Sequence, residues 1–340
     1  MIVEITQTEL ALRTPLRTAH GDIAARAIIR VSAGDDGCTG RSEAAPLPGF
    51  GLETYPEALA ELQRWADRRN ADGPADLPRS PCARAAAAGA LANLDAALEH
   101  VSLTELLTGA AGEPHPRKLA VQALVGHPDP AAAAAAAQRA AEAGHLAVKL
   151  KVAQPPEPGA APDVAAEVAR IVEVRRALPA AVALRLDANG GWDQSTAGRV
   201  LRSVSRLDID FVETPTPQPA DWAQLSRRTG ARIAADEHLG GPDAAQVLDQ
   251  LIDAGAIAVA VLKPAAVGGP QAAYELACRA SVSGVGSVVS SFLCGPDGLR
   301  VARDVALAVA PDAVHGVGTG ALFTEPLPDD VTPRGGYLVL

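Results

Sequence analysis

The chain has 340 residues, of which 40 are acidic and 30 are basic, so its formal net charge is −10. This balance argues against a protein that binds nucleic acid or an anionic membrane surface. Its four cysteines, Cys38, Cys82, Cys278 and Cys294, are scattered without a CxxC pair, which argues against a zinc site or a disulfide framework.

The first ten residues, MIVEITQTEL, alternate as a strand does and lack the basic and apolar regions of a signal peptide. An alanine run at 131–137 is too short to span a bilayer. We therefore expect a cytoplasmic protein without a membrane partner. Apolar residues make up 48% of the chain and aromatic residues only 3%, so the core must consist of Ala, Val and Leu. At this length, one barrel plus a smaller unit is expected.

The N-terminal third is predicted to mix strands and helices. Residues 1 to about 36 alternate as two strands joined by a loop or hairpin connection. The stretch 34–51 is dense in Gly and Pro and is expected to be a loop. Helices are predicted over about 54–70 and 82–98, followed by a connector at 104–117.

From residue 118 onward, short apolar strands alternate with helices. Such alternation implies parallel strands, because a helical crossover is needed to return the chain. Seven or eight units in about 200 residues favour a closed barrel over a doubly wound sheet. No GxGxxG follows the first of these strands, so a dinucleotide site would lack its glycine turn. The predicted strands are 119–125, 146–152, 181–187, 209–213, 231–236, 256–263 and 286–291, with an eighth near 314–320.

The predicted helices between these strands cover about 130–143, 167–178, 194–206, 219–229, 244–255, 270–284 and 297–310. The final residues, TPRGGYLVL, are predicted to form a last strand that returns to the N-terminal unit.

Three acidic residues each close one of the barrel strands: Asp187 in LRLDANG, Glu213 in DFVETP and Asp236 in IAADEH. Side chains at the C-terminal ends of barrel strands converge on one mouth. Three carboxylates without His or Cys suit a hard cation, Mg²⁺ best and Mn²⁺ as a substitute. Asn189, two residues after Asp187, could hydrogen-bond a ligand carboxylate. Each acid alone would be an ordinary helix N-cap, but three in phase with the strands favour a shared metal site.

Three lysines occupy matching positions. Lys149 and Lys151 flank Leu150, so they share one face of their strand, which we interpret as the barrel interior. Two ammonium groups close together near a cation depress each other's pKa, and a lysine of lowered pKa can abstract a proton at pH 7. Lys263 lies on the sixth strand, across the mouth, so a substrate would meet a lysine on each face. The alternative is that the lysines only form salt bridges with the three acids.

Together these motifs resemble the enolase superfamily, in its muconate-lactonizing-enzyme subgroup. The resemblance implies an α/β fold in which a modified TIM barrel, (β/α)₇β, spans 118–318. It also implies an α+β capping domain formed by 1–117 and completed by the tail at 319–340. The matching segments are KLK (149–151), LRLDANGGW (184–192), DFVETP (210–215), AADEH (234–238) and VLKPAAVGG (261–269).

The resemblance also implies roles for the charged residues. The three acids would be Mg²⁺ ligands, Lys151 the base, Lys149 its pKa-lowering neighbour and Lys263 the lysine on the opposite face. Such enzymes abstract the proton α to a carboxylate and pass through an enediolate. Within the superfamily, SEAAPLPGFGLET (42–54) and GVGTGALF (316–323) are similar to the o-succinylbenzoate synthase family, which are carbon–oxygen lyases (dehydratases) of menaquinone biosynthesis.

The chain departs from that family pattern at Cys294, where many relatives carry an acid, and at His238 and Leu239. These departures leave the exact substrate open. One rival function is an N-succinylamino acid racemase or dipeptide epimerase, in which Lys151 and Lys263 would act as acid and base. A second rival is a non-enzymatic barrel that binds an anionic metabolite.

Four further residues are candidates for contacting the small-molecule carboxylate substrate. Thr18 and His20 lie in a cap loop that could close over the substrate, although an exposed turn would look the same. Ser290 and Ser291 end the seventh strand and could hold a carboxylate, or be satisfied by neighbouring backbone. Assembly as a homo-oligomer is left open.

Overall fold

The computed structural model describes residues 1–18, 21–47, 50, 52–112, 116–154 and 163–340, without the side chains of residues 17, 18 and 21. His20 therefore lies outside the described residues, and Thr18 is described only as backbone at the end of a strand. No helix within these ranges is long and apolar enough to cross a membrane.

The N-terminal unit is an antiparallel sheet covered by helices. Its strands lie in the order β1 (Ile2–Thr18), β2 (Gly21–Asp35) and β3 (Cys38–Ala44). Its helices are α1 (Tyr55–Asp72), α2 (Pro81–Leu98) and α3 (Leu103–Thr108). Helix α1 begins where the sequence supplies a capping box, in which Thr54 and Glu57 satisfy each other's backbone N–H groups.

The prediction of a loop over 34–51 was wrong for its central part, which is strand β3. This strand pairs with β2 through a two-residue turn at Asp36 and Gly37, whose φ angles of 44° and 76° suit the Asp-Gly hairpin sequence. Gly40 of β3 is required by packing, since a Cβ there would lie 2.1 Å from the carbonyl oxygen of Ala90 in α2. The small residues that suggested a loop therefore serve a close strand–helix contact.

The second unit is a curved parallel sheet of seven strands, in the order β11-β10-β9-β8-β7-β6-β5, with a helix after each strand. Together with the antiparallel cap, this confirms the predicted modified TIM barrel. The strands are β5 (Ala123–Val125), β6 (Ala147–Lys151), β7 (Ala183–Asp187), β8 (Ile209–Glu213), β9 (Ile233–Ala235), β10 (Val259–Leu262) and β11 (Gly286–Val289).

The helices that follow them are α4 (Pro130–Glu142), α5 (Val164–Ala177), α6 (Gln194–Ser203), α7 (Trp222–Thr229), α8 (Ala244–Asp253), α9 (Pro270–Val282) and α10 (Pro296–Val309). Short 3₁₀ turns lie at Pro219–Asp221, Glu237–Leu239, Thr319–Leu322 and Asp329–Val331.

The two edges of the sheet approach each other through short contacts instead of a full eighth strand. Val121 forms a parallel bridge with His315, and Ser290 forms one with Gly316. The predicted strand at 314–320 is thus reduced to isolated bridges between the first and last strands of the ring.

The C-terminal strand β12 (Tyr337–Val339) is present, but it pairs with β4 (Lys118–Ala120) and not with the N-terminal sheet as predicted. Earlier in the tail, Phe323 bridges Leu12 of β1. The tail therefore contacts the cap first and ends beside the start of the barrel.

Two large apolar clusters, rich in Ala, Val and Leu, fill the interior. One lies between the barrel strands and their helices. The other lies under the cap sheet and includes Ala266, Phe292, Leu293 and Cys294, which come from the loops after β10 and β11. The cap therefore packs on the C-terminal ends of the barrel strands, where a barrel active site is expected.

Arg26 of β2 fastens this contact between cap and barrel. Its side chain is buried, and its guanidinium donates hydrogen bonds to the carbonyl oxygens of Ala45 and Pro46 in the cap and of Leu293 in the barrel. A guanidinium presents several donors in a fixed plane, so one side chain holds both loops that border the mouth.

Candidate active site

The predicted charged residues lie at adjacent strand ends. Lys149 and Lys151 are on β6, and strand pairing sets Lys151 beside Asp187 of β7, which in turn pairs with Glu213 of β8. Asp187 and Glu213 are each 1% exposed. Asp236 follows β9 directly and is also buried. Burial of this many charges requires that they be paired.

The lysines supply that pairing. Lys149 Nζ lies 2.8 Å from Asp187 Oδ2 and 2.9 Å from Glu213 Oε2. Lys151 Nζ lies 2.8 Å from the same Asp187 oxygen, and Lys263 Nζ lies 2.6 Å from Asp236 Oδ1. The salt bridges considered as an alternative interpretation are therefore present. All of the residues that they join except Glu213 line one cavity.

The charges perturb one another strongly. Burial raises the pKa of Glu213 to about 7, a rise that Lys149 opposes and that repulsion from Asp187 and Asp236 reinforces. Burial also acts to raise the pKa of Asp187, but the charges of Lys149 and Lys151 outweigh it and hold that pKa well below its usual range. The three acids are thus close enough to sense one another's charge.

Lys149 departs from the expectation of a depressed lysine pKa. Burial alone would lower its pKa, but the charges of Asp187, Glu213 and Asp236 raise it well above the ordinary value. Lys149 is therefore the positive charge that holds the buried acids together.

The donor set suits a hard cation, although the acids are not gathered as a formed metal site. Within the described ranges, no three His, Cys, Asp or Glu side chains are grouped as metal ligands, and the lysine ammonium groups contact the carboxylates instead. Glu213 Oε1 is buried and has no hydrogen-bond partner. An orphaned carboxylate oxygen beside two other acids is an available ligand for Mg²⁺.

A cavity of about 390 Å³ opens above these residues. Lys151 and Lys263 both line it, together with Asp187 and Asp236. The cap covers it with apolar side chains, those of Leu16, Ile23, Leu47 and Phe50. This is the size of a small-molecule site with a polar base and an apolar cover.

Both predicted serines line the cavity. Ser290 Oγ donates a long hydrogen bond of 3.4 Å to the Gly316 carbonyl, and Ser291 Oγ lies 2.8 Å from Thr319 Oγ1. Each hydroxyl contacts a protein group in the structure. Because both serines line the cavity, each hydroxyl can also hydrogen-bond a ligand there.

Asn189 has a different neighbourhood from the one predicted. Its Oδ1 accepts a hydrogen bond of 2.5 Å from Lys151 Nζ, and its Nδ2 donates one of 2.5 Å to Glu237 Oε1. Sequence reasoning missed Glu237, and it also missed Phe50 and Phe292, whose rings lie 5.1 Å and 5.8 Å from Lys263 Nζ.

The two departures from the family pattern lie away from the described lining of the cavity. Cys294 is buried in the cap cluster, where burial raises its thiol pKa to about 12. His238 packs edge-to-face on Trp222, and its Nε2 lies 2.9 Å from the Pro217 carbonyl oxygen. Neither side chain is among the described residues that line the cavity.

Comparison with known proteins agrees with this architecture. The family model described as "Enolase C-terminal domain-like" matches residues 131–340. The chain belongs to the enolase superfamily. It is 32% identical over 200 residues to an o-succinylbenzoate synthase of Mycobacterium tuberculosis, covering 58% of this chain and 57% of that one. It is 36% identical over 207 residues to the o-succinylbenzoate synthase of Thermobifida fusca, covering 60% and 61%. The chain thus matches less than two thirds of the length of these relatives.

Solved structures share the complete fold. An L-Ala-D/L-Glu epimerase from Bacillus subtilis, with bound substrate, superposes with a TM-score of 0.84 at 21% identity and covers 99% of this chain and 95% of that one. A dipeptide epimerase from Cytophaga hutchinsonii, complexed with Mg and D-Ala-L-Val, gives 0.86 at 21%, covering 99% and 93%. A muconate lactonizing enzyme from Pseudomonas fluorescens gives 0.82 at 23%, covering 99% and 92%.

Proposed function

We propose that this protein is a Mg²⁺-dependent lyase that removes the proton α to a carboxylate and expels water, as an o-succinylbenzoate synthase does. The observation that carries the proposal is that Lys151 and Lys263 reach one cavity from different strands, beside three buried acids. Membership of the enolase superfamily and the two o-succinylbenzoate synthase relatives support it.

The proposal assigns a role to each residue. Lys151 takes the α-proton of the substrate, and the resulting enediolate loses its hydroxyl group, which leaves as water with the proton that Lys151 returns. Lys263, whose ammonium lies against Asp236, stabilises the negative charge that develops on the opposite face. Lys149 holds Asp187 and Glu213 in place.

Asp187, Glu213 and Asp236 would hold Mg²⁺, for which Mn²⁺ would substitute. The cation would neutralise the substrate carboxylate and so acidify the α-carbon proton. The complex of the C. hutchinsonii relative with Mg supports this assignment.

The cavity favours the lyase over a dipeptide epimerase. Among its described lining residues the only acids are Asp187, Asp236 and Glu237, all at the level of the lysines. No described cap residue that lines the cavity is acidic, so the free ammonium group of a dipeptide would lack a counter-charge on that side. An N-succinylamino acid has no such ammonium group, so a racemase of that class remains the second candidate, supported by the two opposed lysines.

Proton NMR in D₂O tests the proposal on a panel of carboxylates, with Mg²⁺ and with a chelator. We expect loss of water from a cyclohexadiene carboxylate that bears a succinyl chain, and no turnover with chelator. Inversion of an N-succinylamino acid with α-deuteration, but without any dehydration, would instead assign the racemase.

Lysine variants complete the test. Lys151→Ala should lower kcat by about 10²–10⁴-fold, the usual contribution of a general base. Lys118→Ala is the matched control, because Lys118 lies on β4 against Tyr337, outside the cavity. If wild type and Lys151→Ala both convert every substrate no faster than the uncatalysed reaction, the protein is a non-enzymatic binding protein.

A further inference from the structure

Asn189 lies between a lysine and a carboxylate, and its amide can satisfy both in only one orientation. Lys151 Nζ donates to Oδ1, while Nδ2 donates to Glu237 Oε1. A side-chain amide carries an acceptor on one side and donors on the other. Because a carboxylate can only accept, Glu237 requires the NH₂ group, and the oxygen must then face Lys151.

The backbone holds the amide in this place. Asn189 has φ of 44°, in the left-handed region that few residues other than Gly adopt, and Gly190 follows with φ of 70°. The Asn189 N–H also faces Asp187 Oδ1 at 3.3 Å. Asn is among the non-glycine residues that adopt this conformation most readily, so the side chain is compatible with the turn.

Glu237 is suited to orient the amide. It begins the 3₁₀ turn directly after Asp236 and lines the cavity. Its Oε1 accepts the hydrogen bond from Asn189 Nδ2. Because the ammonium group of Lys151 can only donate, the amide oxygen faces the lysine and the amide NH₂ group faces Glu237.

We propose that Glu237 is a positioning residue that orients the Asn189 amide, so that the amide oxygen holds the Lys151 ammonium over the cavity. With the amide reversed, an NH₂ group would face the ammonium, and two donors cannot bond. Lys151 would then keep only its contact with Asp187 and would turn toward it. This inference rests on the proposed role of Lys151 as the base.

Exchanging the amide and the carboxylate between positions 189 and 237 tests the orientation of the Asn189 amide. Glu237→Ala removes the acceptor and frees the amide to reverse. Asn189→Asp sets two carboxylates against each other, which also displaces the group that faces Lys151. In the double variant N189D/E237Q, the amide introduced at position 237 can donate to the carboxylate introduced at position 189. That carboxylate can also accept from Lys151, so the original geometry returns with the groups exchanged.

We expect each single variant to lower kcat by about 10-fold or more with little change in KM, and the double variant to regain most of the loss. A double variant no more active than Asn189→Asp alone would overturn the proposal and make Glu237 only a counter-charge for Lys263. An unchanged kcat in Glu237→Ala would overturn it as well.

Lysine-selective ¹³Cε NMR gives a second measurement that does not depend on turnover, since the chain has only four lysines. The Lys151 signal should shift in both single variants and return in the double variant, while the Lys118 signal stays fixed. A Lys151 signal that does not move in Glu237→Ala would refute the positioning role. Activity retained in Lys151→Ala would instead refute the proposed function, so the two failures are distinguishable.

Discussion

Two buried groups outside the salt-bridged lysine cluster, Glu43 and His315, should make opposite contributions to the pH dependence of stability. Glu43 joins β3 to the start of helix α10, where its Oε2 accepts a hydrogen bond from Gly298 N at 3.1 Å, and Arg30 lies 3.3 Å from its other oxygen. Burial raises its pKa to about 7, against an ordinary 4.5. The folded protein thus prefers the protonated acid.

His315 has the opposite preference. The Val289 N–H donates to His315 Nδ1 at 3.0 Å, so this nitrogen carries no proton, and Nε2 donates to the Ala310 carbonyl at 2.8 Å. Burial lowers its pKa to about 4 from 6.5, and the charge of Arg185 adds to this. The folded protein therefore favours the neutral His315 ring and disfavours protonation of its Nδ1.

The signs follow from linkage. The stability contributed by Glu43 is present below pH 4.5 and is lost as the pH rises through 7, a loss of about 3 kcal/mol. The stability contributed by His315 is present above pH 6.5 and is lost as the pH falls through 4, again about 3 kcal/mol. Between these values the two slopes, each about 1.4 kcal/mol per pH unit, nearly cancel.

Glu43→Gln removes the contribution of Glu43 to the pH dependence of stability, so that the contribution of His315 is no longer cancelled. Relative to wild type, the free energy of unfolding of this variant should rise by about 1.4 kcal/mol per pH unit between pH 4.5 and 6.5. His315→Gln should show a relative fall of the same size, and the double variant should run parallel to wild type. Urea unfolding at several pH values measures these differences, in which surface carboxylates common to all variants cancel. A Glu43→Gln curve parallel to wild type would refute the reasoning.

Three further predictions concern packing and metal binding. Gly40→Ala should destabilise the protein by about 3 kcal/mol or more, because the new Cβ would overlap the backbone of α2, whereas Gly34→Ala, with no atom nearer than 3.7 Å, should be nearly neutral in thermal unfolding. Arg26→Met should cost about 1–3 kcal/mol for each buried carbonyl that it leaves unpaired, against less than about 1 kcal/mol for the half-exposed Arg232→Met; equal losses would contradict this. Mg²⁺ at a hundred times its Kd should stabilise the wild type by about 2.7 kcal/mol, and a similar gain in Glu213→Gln would argue against Glu213 as a ligand.

The features that sequence could predict are local ones. Lys149 and Lys151 share a face because side chains alternate along a strand, and Asp187 meets Lys151 because parallel strands of one barrel end at one level. The alternation of strands and helices after residue 118 predicted the parallel barrel in the same way. Each of these inferences needs only the period of a strand and the direction of the chain.

The features that could not be predicted depend on where a strand stops. Strand alternation would send Glu237 to the face opposite Asp236. The strand ends at Ala235, however, and Asp236 adopts φ of −120° and ψ of −84° before the 3₁₀ turn, so both side chains reach the cavity. The pairing of β12 with β4 likewise depends on tertiary structure, since the sequence of the tail predicts a strand but not the strand with which it pairs.

One compositional signal for the site was available in the sequence. Only four of the 30 basic residues are lysines, and three of these four are Lys149, Lys151 and Lys263. A chain that places arginine almost everywhere else has lysine at the positions that line one cavity. Arginine keeps its proton at any accessible pH, and its guanidinium is a broad planar fork, whereas an ammonium group is compact and can release a proton. Lys149 fits between Asp187 and Glu213 as such a point charge, and Lys151 must be able to become neutral if it is the proposed base. The rarity of lysine in this chain therefore favours a requirement for proton transfer at the cavity over simple charge pairing, which the 26 arginines could have met.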